Sequence, residues 1–252
     1  MKNVLITGAC SGMGLSATKL FLKRGWGVLM TDLNEDKGIE IKNNLKEKYE
    51  NVWFKSSNVA KSLDVKALHD FTVENNIKIH SIINNAGIFT AGKLHEVEED
   101  KLDLIFDVDV KSIFLTGKYF IPDMIKNGGG TIVNTGSVSG MEGDYDMAAY
   151  NAAKGAVVNL VRSMALDYGK YNIRVNNVCP SACATPMFLS NPEDVIDMFN
   201  KANPLKRICT PDEVAKAMYF LASDESTSCN GMNLTVSGGL EVHTGQPVQN
   251  EH

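Results

Sequence analysis

The sequence predicts an α/β fold: a single doubly wound domain with a mostly parallel, seven-stranded sheet and helices on both faces. Three observations carry that prediction. Seven short apolar runs rich in β-branched residues alternate with longer helix-patterned stretches along the 252 residues. No linker, composition shift, internal repeat or low-complexity tract divides them, so one domain over 1–252 is the simplest partition. A glycine-rich turn directly follows the first apolar run and opens the first helical pattern.

The candidate strands are 4–7, 28–31, 52–56, 81–84, 131–135, 174–178 and 232–236, bounded by Gly, Asn or Pro. Helical patterns lie between them near 12–24, 35–49, 62–76, 99–127, 147–169 and 211–223. Parallel neighbours need crossover helices, which places helices on both faces. Thr210-Pro211-Asp212-Glu213 reads as a capping box with Pro at the first helical position, and Asn191-Pro192 as a weaker helix start. The polar, Pro-containing tail at 243–252 is expected to be poorly ordered or to dock on a neighbouring subunit.

Composition narrows the function. With 25 Lys+Arg against 30 Asp+Glu the net charge is −5, so no basic stripe is available for nucleic acid or an anionic membrane. Five cysteines spread over a chain of this length read as free thiols in a reducing compartment. No stretch approaches the ~20 apolar residues of a membrane span, and the first residues turn at once into a glycine loop instead of a leader. A cytoplasmic location and a small-molecule substrate are expected. The five histidines have no ligand spacing, so no metal is expected.

Thr7-Gly8-Ala9-Cys10-Ser11-Gly12-Met13-Gly14 sits between the first strand and the first helix. Glycines there allow a sharp turn and let a pyrophosphate approach free N–H groups at a helix N-terminus. The spacing is Gly-x-x-x-Gly-x-Gly rather than Gly-x-Gly-x-x-Gly, and three glycines alone would signify a plain turn. Their placement favours dinucleotide binding. Asp32 ends the second strand about 20 residues beyond the loop, where an acid binds adenosine ribose hydroxyls. A carboxylate there repels a 2′-phosphate by about 1–4 kcal/mol at ~4 Å. No Arg or Lys at 9–11 or 33 offers compensation, so NAD is expected over NADP.

Tyr150 and Lys154 are four residues apart on a strongly helical segment and therefore share a face. A neighbouring ammonium favours the phenolate, which makes a tyrosine usable as acid or base. Ser137, in Thr135-Gly136-Ser137-Val138-Ser139-Gly140, follows the fifth strand, and strand C-termini are where a doubly wound sheet places its chemistry. Asn84-Asn85-Ala86-Gly87 ends the fourth strand and reads as part of the same site.

On these motifs the chain resembles the short-chain dehydrogenase/reductase family over nearly its whole length, to Gly238-Gly239. The resemblance implies a Rossmann-like domain that transfers hydride reversibly between a nicotinamide and a carbonyl or secondary alcohol. It implies that Ser137 donates to the substrate oxygen and Tyr150 supplies its proton. Lys154 would hold the nicotinamide ribose and keep Tyr150 acidic, and Asp109 would serve the proton relay. For the cofactor it implies Gly8, Ser11, Gly12, Met13 and Gly14 at the phosphates. Asp32, Leu33, Asn58 and Val59 would bind the adenosine; Asn85, Ala86 and Gly87 would support the middle. Tyr150, Lys154, Pro180, Cys183 and Thr185 would lie at the nicotinamide end. A homotetramer is implied on the same basis.

Three positions depart from the family pattern. Asp109 stands where an Asn is usual, Asn58 where an Asp contacts adenine, and Ser237 where an Asp precedes the final glycine pair. Several runs look like one branch of the family, the acetoin reductases or meso-2,3-butanediol dehydrogenases. They are 134–140, 152–160, Val178-Cys179-Pro180-Ser181 and Gly245-Gln246-Pro247. Substrate contacts are expected from Ser137, Ser139, Met141, Asp144, Met147, Tyr150 and Met187, with 187–203 either a closing lid or a packed surface helix. A small hydroxyketone or vicinal diol is favoured. A hydroxysteroid, a sugar alcohol or a 3-oxoacyl substrate is the alternative, and a non-catalytic NAD sensor a more remote one.

Overall fold

The structure, a computed structural model, describes residues 1–242; the tail at 243–252, with its Gly245-Gln246-Pro247 run, lies outside the described residues. The first half of the chain runs β1 (Asn3–Thr7), α1 (Gly12–Lys23), β2 (Gly27–Thr31), α2 (Glu35–Lys46), β3 (Val52–Phe54), α3 (Ser62–Glu74), β4 (Ser81–Asn84), α4 (Glu99–Phe106) and a π turn, Asp107–Lys111. It continues through α5 (Ser112–Lys126), β5 (Gly130–Thr135), α6 (Ala148–Tyr168), β6 (Ile173–Pro180), α7 (Pro186–Leu189), α8 (Glu193–Ala202), α9 (Pro211–Ala222) and β7 (Asn233–Val236). The seven strands form one sheet in the order β3-β2-β1-β4-β5-β6-β7, every pairing parallel. The order reverses between β1 and β4, and a crevice opens beyond the carboxyl ends of those strands.

Alternation along each strand builds two cores. Val4, Ile6, Val28, Met30, Ile83, Val133 and Val178 face α1 and α9 and pack on Ala17, Phe21, Leu22, Val214, Met218 and Leu221. The intervening Leu5, Leu29, Ile82, Ile132 and Val175 face α3, α5 and α6 and meet Leu68, Phe120, Met124, Val157 and Val161. Burying such a side chain stabilises by about 1.5–3 kcal/mol, which is why these strands are apolar on both sides.

Helix boundaries follow local chemistry. Thr210 makes the expected capping box with Glu213, and Pro211 opens α9. Asn191 does not cap α8; Pro192 occupies that position without a side-chain bond, and α7 is a further short helix started by Thr185. The stretch 99–127 is not one helix: it widens at the π turn between α4 and α5. A π turn inserts one residue into a helical ladder, and here it carries Asp109 into the interior, 3% exposed.

Asparagines in register across β4, β5, β6 and β7 form a polar ladder within the core under α5 and α6. Asn84 Nδ2 donates to Asn134 Oδ1 at 2.9 Å, Asn134 Nδ2 to Asn177 Oδ1 at 3.1 Å, and Asn177 Nδ2 to Asn233 Oδ1 at 2.7 Å. Thr116 Oγ1 feeds the first amide, and the last donates to the Val158 carbonyl of α6. Amides this deep cost free energy unless paired, and the ladder pairs them while fastening α6 to the sheet.

Candidate active site

Gly8 and Gly12 adopt φ of +61° and +47°, conformations that side chains resist, and a Cβ on Gly14 would collide with the Gly8 carbonyl. Glycine at all three positions keeps the loop tight and its backbone open. Ser11 precedes α1 without a side-chain cap, and no acid occupies the first turn, so the helix N-terminus is free to take an anion. Thr7 Oγ1 accepts the N–H groups of Asn85 and Ala86, each at 2.9 Å, which clamps the end of β4 to the end of β1. Asn85 Nδ2 donates to the Thr7 carbonyl at 3.0 Å, whereas its Oδ1 is buried without a partner. Glycine cradle, open helix end and orphaned amide oxygen together fit a dinucleotide.

Asp32 is held at the end of β2 by the Cys10 N–H at 3.0 Å and the Asn34 N–H at 3.2 Å. Burial, with Asp32 beside it, pushes the Cys10 thiol up to about 12, so Cys10 is a packing residue. Leu33 is exposed and Val59 buried. Asn58 Oδ1 accepts the Ala60 N–H at 3.0 Å, and the Asn58 N–H donates to Asp64, so this amide shapes its own turn. At the other end of the crevice Pro180 closes β6, Cys183 is buried, and the Thr185 side chain lies against Gly12. Ser237, with its hydroxyl on Glu241 and the Gly239 N–H, fixes the turn after β7.

Tyr150 and Lys154 share one face of α6, with Lys154 Nζ 5.7 Å from the phenol ring centre. Lys154 donates to the Thr135 carbonyl at 3.0 Å and lies 2.9 Å from Asp109 Oδ2. Both side chains are almost fully buried. This contact is a buried ion pair, while Asp109 Oδ1 accepts the Ile88 N–H at 2.8 Å. Burial opposes the ammonium, but Asp109, then Tyr150 and Cys179, more than offset it and hold Lys154 above the usual lysine range. Ser137 is buried and accepts the Ser139 N–H at 3.1 Å. Gly140 lets this turn lie directly on the Lys154 backbone, which brings Ser137 and the Tyr150 helix together.

Two groups escaped the sequence reading. Phe89 packs edge-to-face on Tyr150 at 5.3 Å, and the Thr135 carbonyl orients Lys154. A backbone acceptor leaves no mark in sequence, and Phe89 follows the Asn-Asn-Ala-Gly motif without any spacing signal. Among the expected substrate residues, Ser139 and Met147 are half-buried, and Met141, Asp144 and Met187 are exposed. The segment 187–203 folds around a Phe188–Phe199 edge-to-face contact at 5.0 Å, with no fully buried residue in α7 or α8.

A glycine cradle at the sheet's switch point, with Tyr150 and Lys154 at its carboxyl edge, defines a dinucleotide-dependent oxidoreductase. The family profile described as enoyl-(acyl carrier protein) reductase matches residues 8–241, and the chain belongs to the short-chain dehydrogenase/reductase family. It is 38% identical to the meso-2,3-butanediol dehydrogenase of Serratia marcescens over 98% of this chain and 97% of that protein. It is 33% identical to a cyclopentanol dehydrogenase of Comamonas sp. (strain NCIMB 9872), covering 96% and 98%. The crystal structure of levodione reductase superposes with a TM-score of 0.91 at 29% identity over 96% of this chain and 98% of that one. A 3-ketoacyl-(acyl-carrier-protein) reductase from Brucella melitensis, complexed with NADH, gives 0.89 at 28% identity over 95% and 98%. The protein is thus an oxidoreductase acting between alcohols and ketones with a nicotinamide cofactor.

Proposed function

We propose that the protein is an NAD-dependent enzyme that interconverts a secondary alcohol and a ketone, with a small hydroxyketone or vicinal diol of the acetoin/2,3-butanediol type as substrate. The Asp32 carboxylate, fixed by two backbone N–H groups at the end of β2, carries the preference for NAD. The 38% identity to a butanediol dehydrogenase supports the substrate class. When bound, the nicotinamide supplies or receives the hydride. Ser137 holds the substrate oxygen by a hydrogen bond, and Tyr150 gives it a proton in reduction and removes one in oxidation. Lys154 keeps positive charge beside the phenol, and Asp109 positions that lysine. A cytoplasmic homotetramer is part of this reading. The free thiols fit a reducing compartment, and an open apolar groove between α5 and α6, lined by Phe114, Gly117, Ile121, Leu160 and Met164, suits a second copy.

The test follows NADH and NADPH oxidation with acetoin, diacetyl, a steroid ketone and a keto sugar. Fast NADH oxidation with acetoin or diacetyl alone is the expected result. Activity confined to a bulkier ketone overturns the substrate class, and a preference for NADPH overturns the role of Asp32.

A further inference from the structure

Cys183 follows β6, and Cys209 lies in the loop that enters α9. Their backbones pair as an isolated parallel bridge: Cys209 N–H donates to the Ala182 carbonyl at 3.1 Å and Ala184 N–H to the Cys209 carbonyl at 2.9 Å. Both side chains enter the same core at 5% exposure from directly bridged backbone positions, and the Cys209 thiol donates to the Ala182 carbonyl at 3.3 Å. Cys209 also lines an open cleft of about 400 Å³ beside Arg207, Val236 and Glu241, which gives a small molecule a way in. The other buried cysteines lack these features. Burial pushes Cys10 up to about 12 and Cys179 up to about 11, and neither faces a second cysteine. Between these two neighbours the shared interaction lowers Cys209 and raises Cys183, so Cys209 is the first of the pair to ionise.

We propose that Cys183 and Cys209 form a reversible dithiol–disulfide site that a small hydroperoxide closes. The Cys209 thiolate attacks a peroxide oxygen, the O–O bond breaks, and an alcohol or water leaves with the thiol proton. The Cys183 thiolate then attacks the sulfenic sulfur, the S–O bond breaks, and hydroxide departs as water with the Cys183 proton. Two electrons pass from the thiols to the peroxide, and a thiol reductant reverses the step.

A disulfide bond of about 2.05 Å is far shorter than a thiol–thiol contact, so closure draws Cys183 toward Cys209. Thr185 follows, because its N–H is bonded to the Cys183 carbonyl at 2.6 Å, and its side chain rests against Gly12 of the glycine loop. On the proposed cofactor reading, the oxidised protein binds NADH several-fold more weakly.

The full-length protein is treated with hydrogen peroxide, mapped as peptides without reduction, and titrated with NADH by fluorescence. A Cys183–Cys209 linked peptide that dithiothreitol reverses is expected, together with the weaker NADH binding. Cys209→Ser is expected to keep the NADH affinity of the reduced protein and to lose its response to peroxide. Cys183→Ser, checked for folding by its melting transition, should likewise yield no linked peptide. Oxidation of Cys229 alone, or separate over-oxidation of Cys183 and Cys209, overturns the site. A linked peptide with unchanged NADH affinity overturns the coupling to the glycine loop. Because the peptide map is independent of cofactor, reduced protein that fails to bind NADH refutes the cofactor reading instead.

Discussion

At Lys154 and Asp109 two opposite charges share a site from which water is excluded, so each depends on the other. Removing one partner of a buried pair leaves an uncompensated charge, at a cost of about 3–5 kcal/mol. Asp109→Ala is expected to lose that much in chemical denaturation at neutral pH. Lys154 is held above the ordinary lysine value of 10.5, so its contribution is fully present below that value and lost only as pH rises through the higher folded value. The penalty should therefore be flat across neutral pH and fade only in strong alkali. Asp109→Asn, which keeps an acceptor for the Ile88 N–H, separates loss of charge from loss of that bond. Tyr150→Phe is expected to reduce turnover about 10²–10⁴-fold while fluorescence titration shows NADH binding retained. Loss of binding along with turnover would instead assign Tyr150 to cofactor binding. The residue types at 137, 150 and 154 were legible because each has a chemical reason to stand where it does. The partner of Lys154 was not, since nothing in a linear spacing says that residue 109 meets residue 154.

At the scale of elements, α9 depends on Thr210, Glu213 and Arg207. The Arg207 guanidinium, together with the Thr210 N–H, pulls the Glu213 carboxyl down to about 2 from an ordinary 4.5. A depressed carboxylate stabilises the fold above its unfolded value and ceases to do so as pH falls through the folded one. The pair lies at the surface, with the Arg207 and Glu213 side chains 51% and 34% exposed, so solvent screening limits the contribution of Glu213 to about 0.5–1 kcal/mol. Glu213→Gln is expected to melt roughly 1–4 °C below the parent at neutral pH, with the gap closing between pH 4.5 and 2. The capping box was legible because its two residues lie three apart. The break in 99–127 was not. Every residue from Asp107 to Lys111 is compatible with an α-helix, and the π turn answers to a tertiary demand, the burial of Asp109. The strand expected at 52–56 is assigned only over Val52–Phe54, although Lys55 and Ser57 still donate to the Met30 and Asp32 carbonyls alongside β2.

For the whole molecule, the apolar alternation that predicted the sheet also specifies its two cores, so the architecture followed from sequence more closely than the site did. The α5–α6 groove is where assembly is expected. Sedimentation should find a tetramer, and Phe114→Asp, which sets a charge on an exposed aromatic of that groove, should shift it toward smaller species without altering the melting of the subunit core. A monomeric parent would remove the assembly from the proposed function.

The asparagine ladder adds a property that no single residue has. Asn84, Asn134 and Asn177 each give an N–H to the next strand toward β7, Asn233 on β7 gives its own to the Val158 carbonyl of α6, and every amide oxygen accepts from the β4 side, beginning with the Thr116 hydroxyl. The dipoles therefore align head to tail, and each polarises the next. No member can be flipped alone, because a lone flip would set two donors and two acceptors face to face. The line of amides has a sense of direction, like a row of dominoes leaning one way, and the Val157 and Val158 carbonyls, which can only accept, fix that sense.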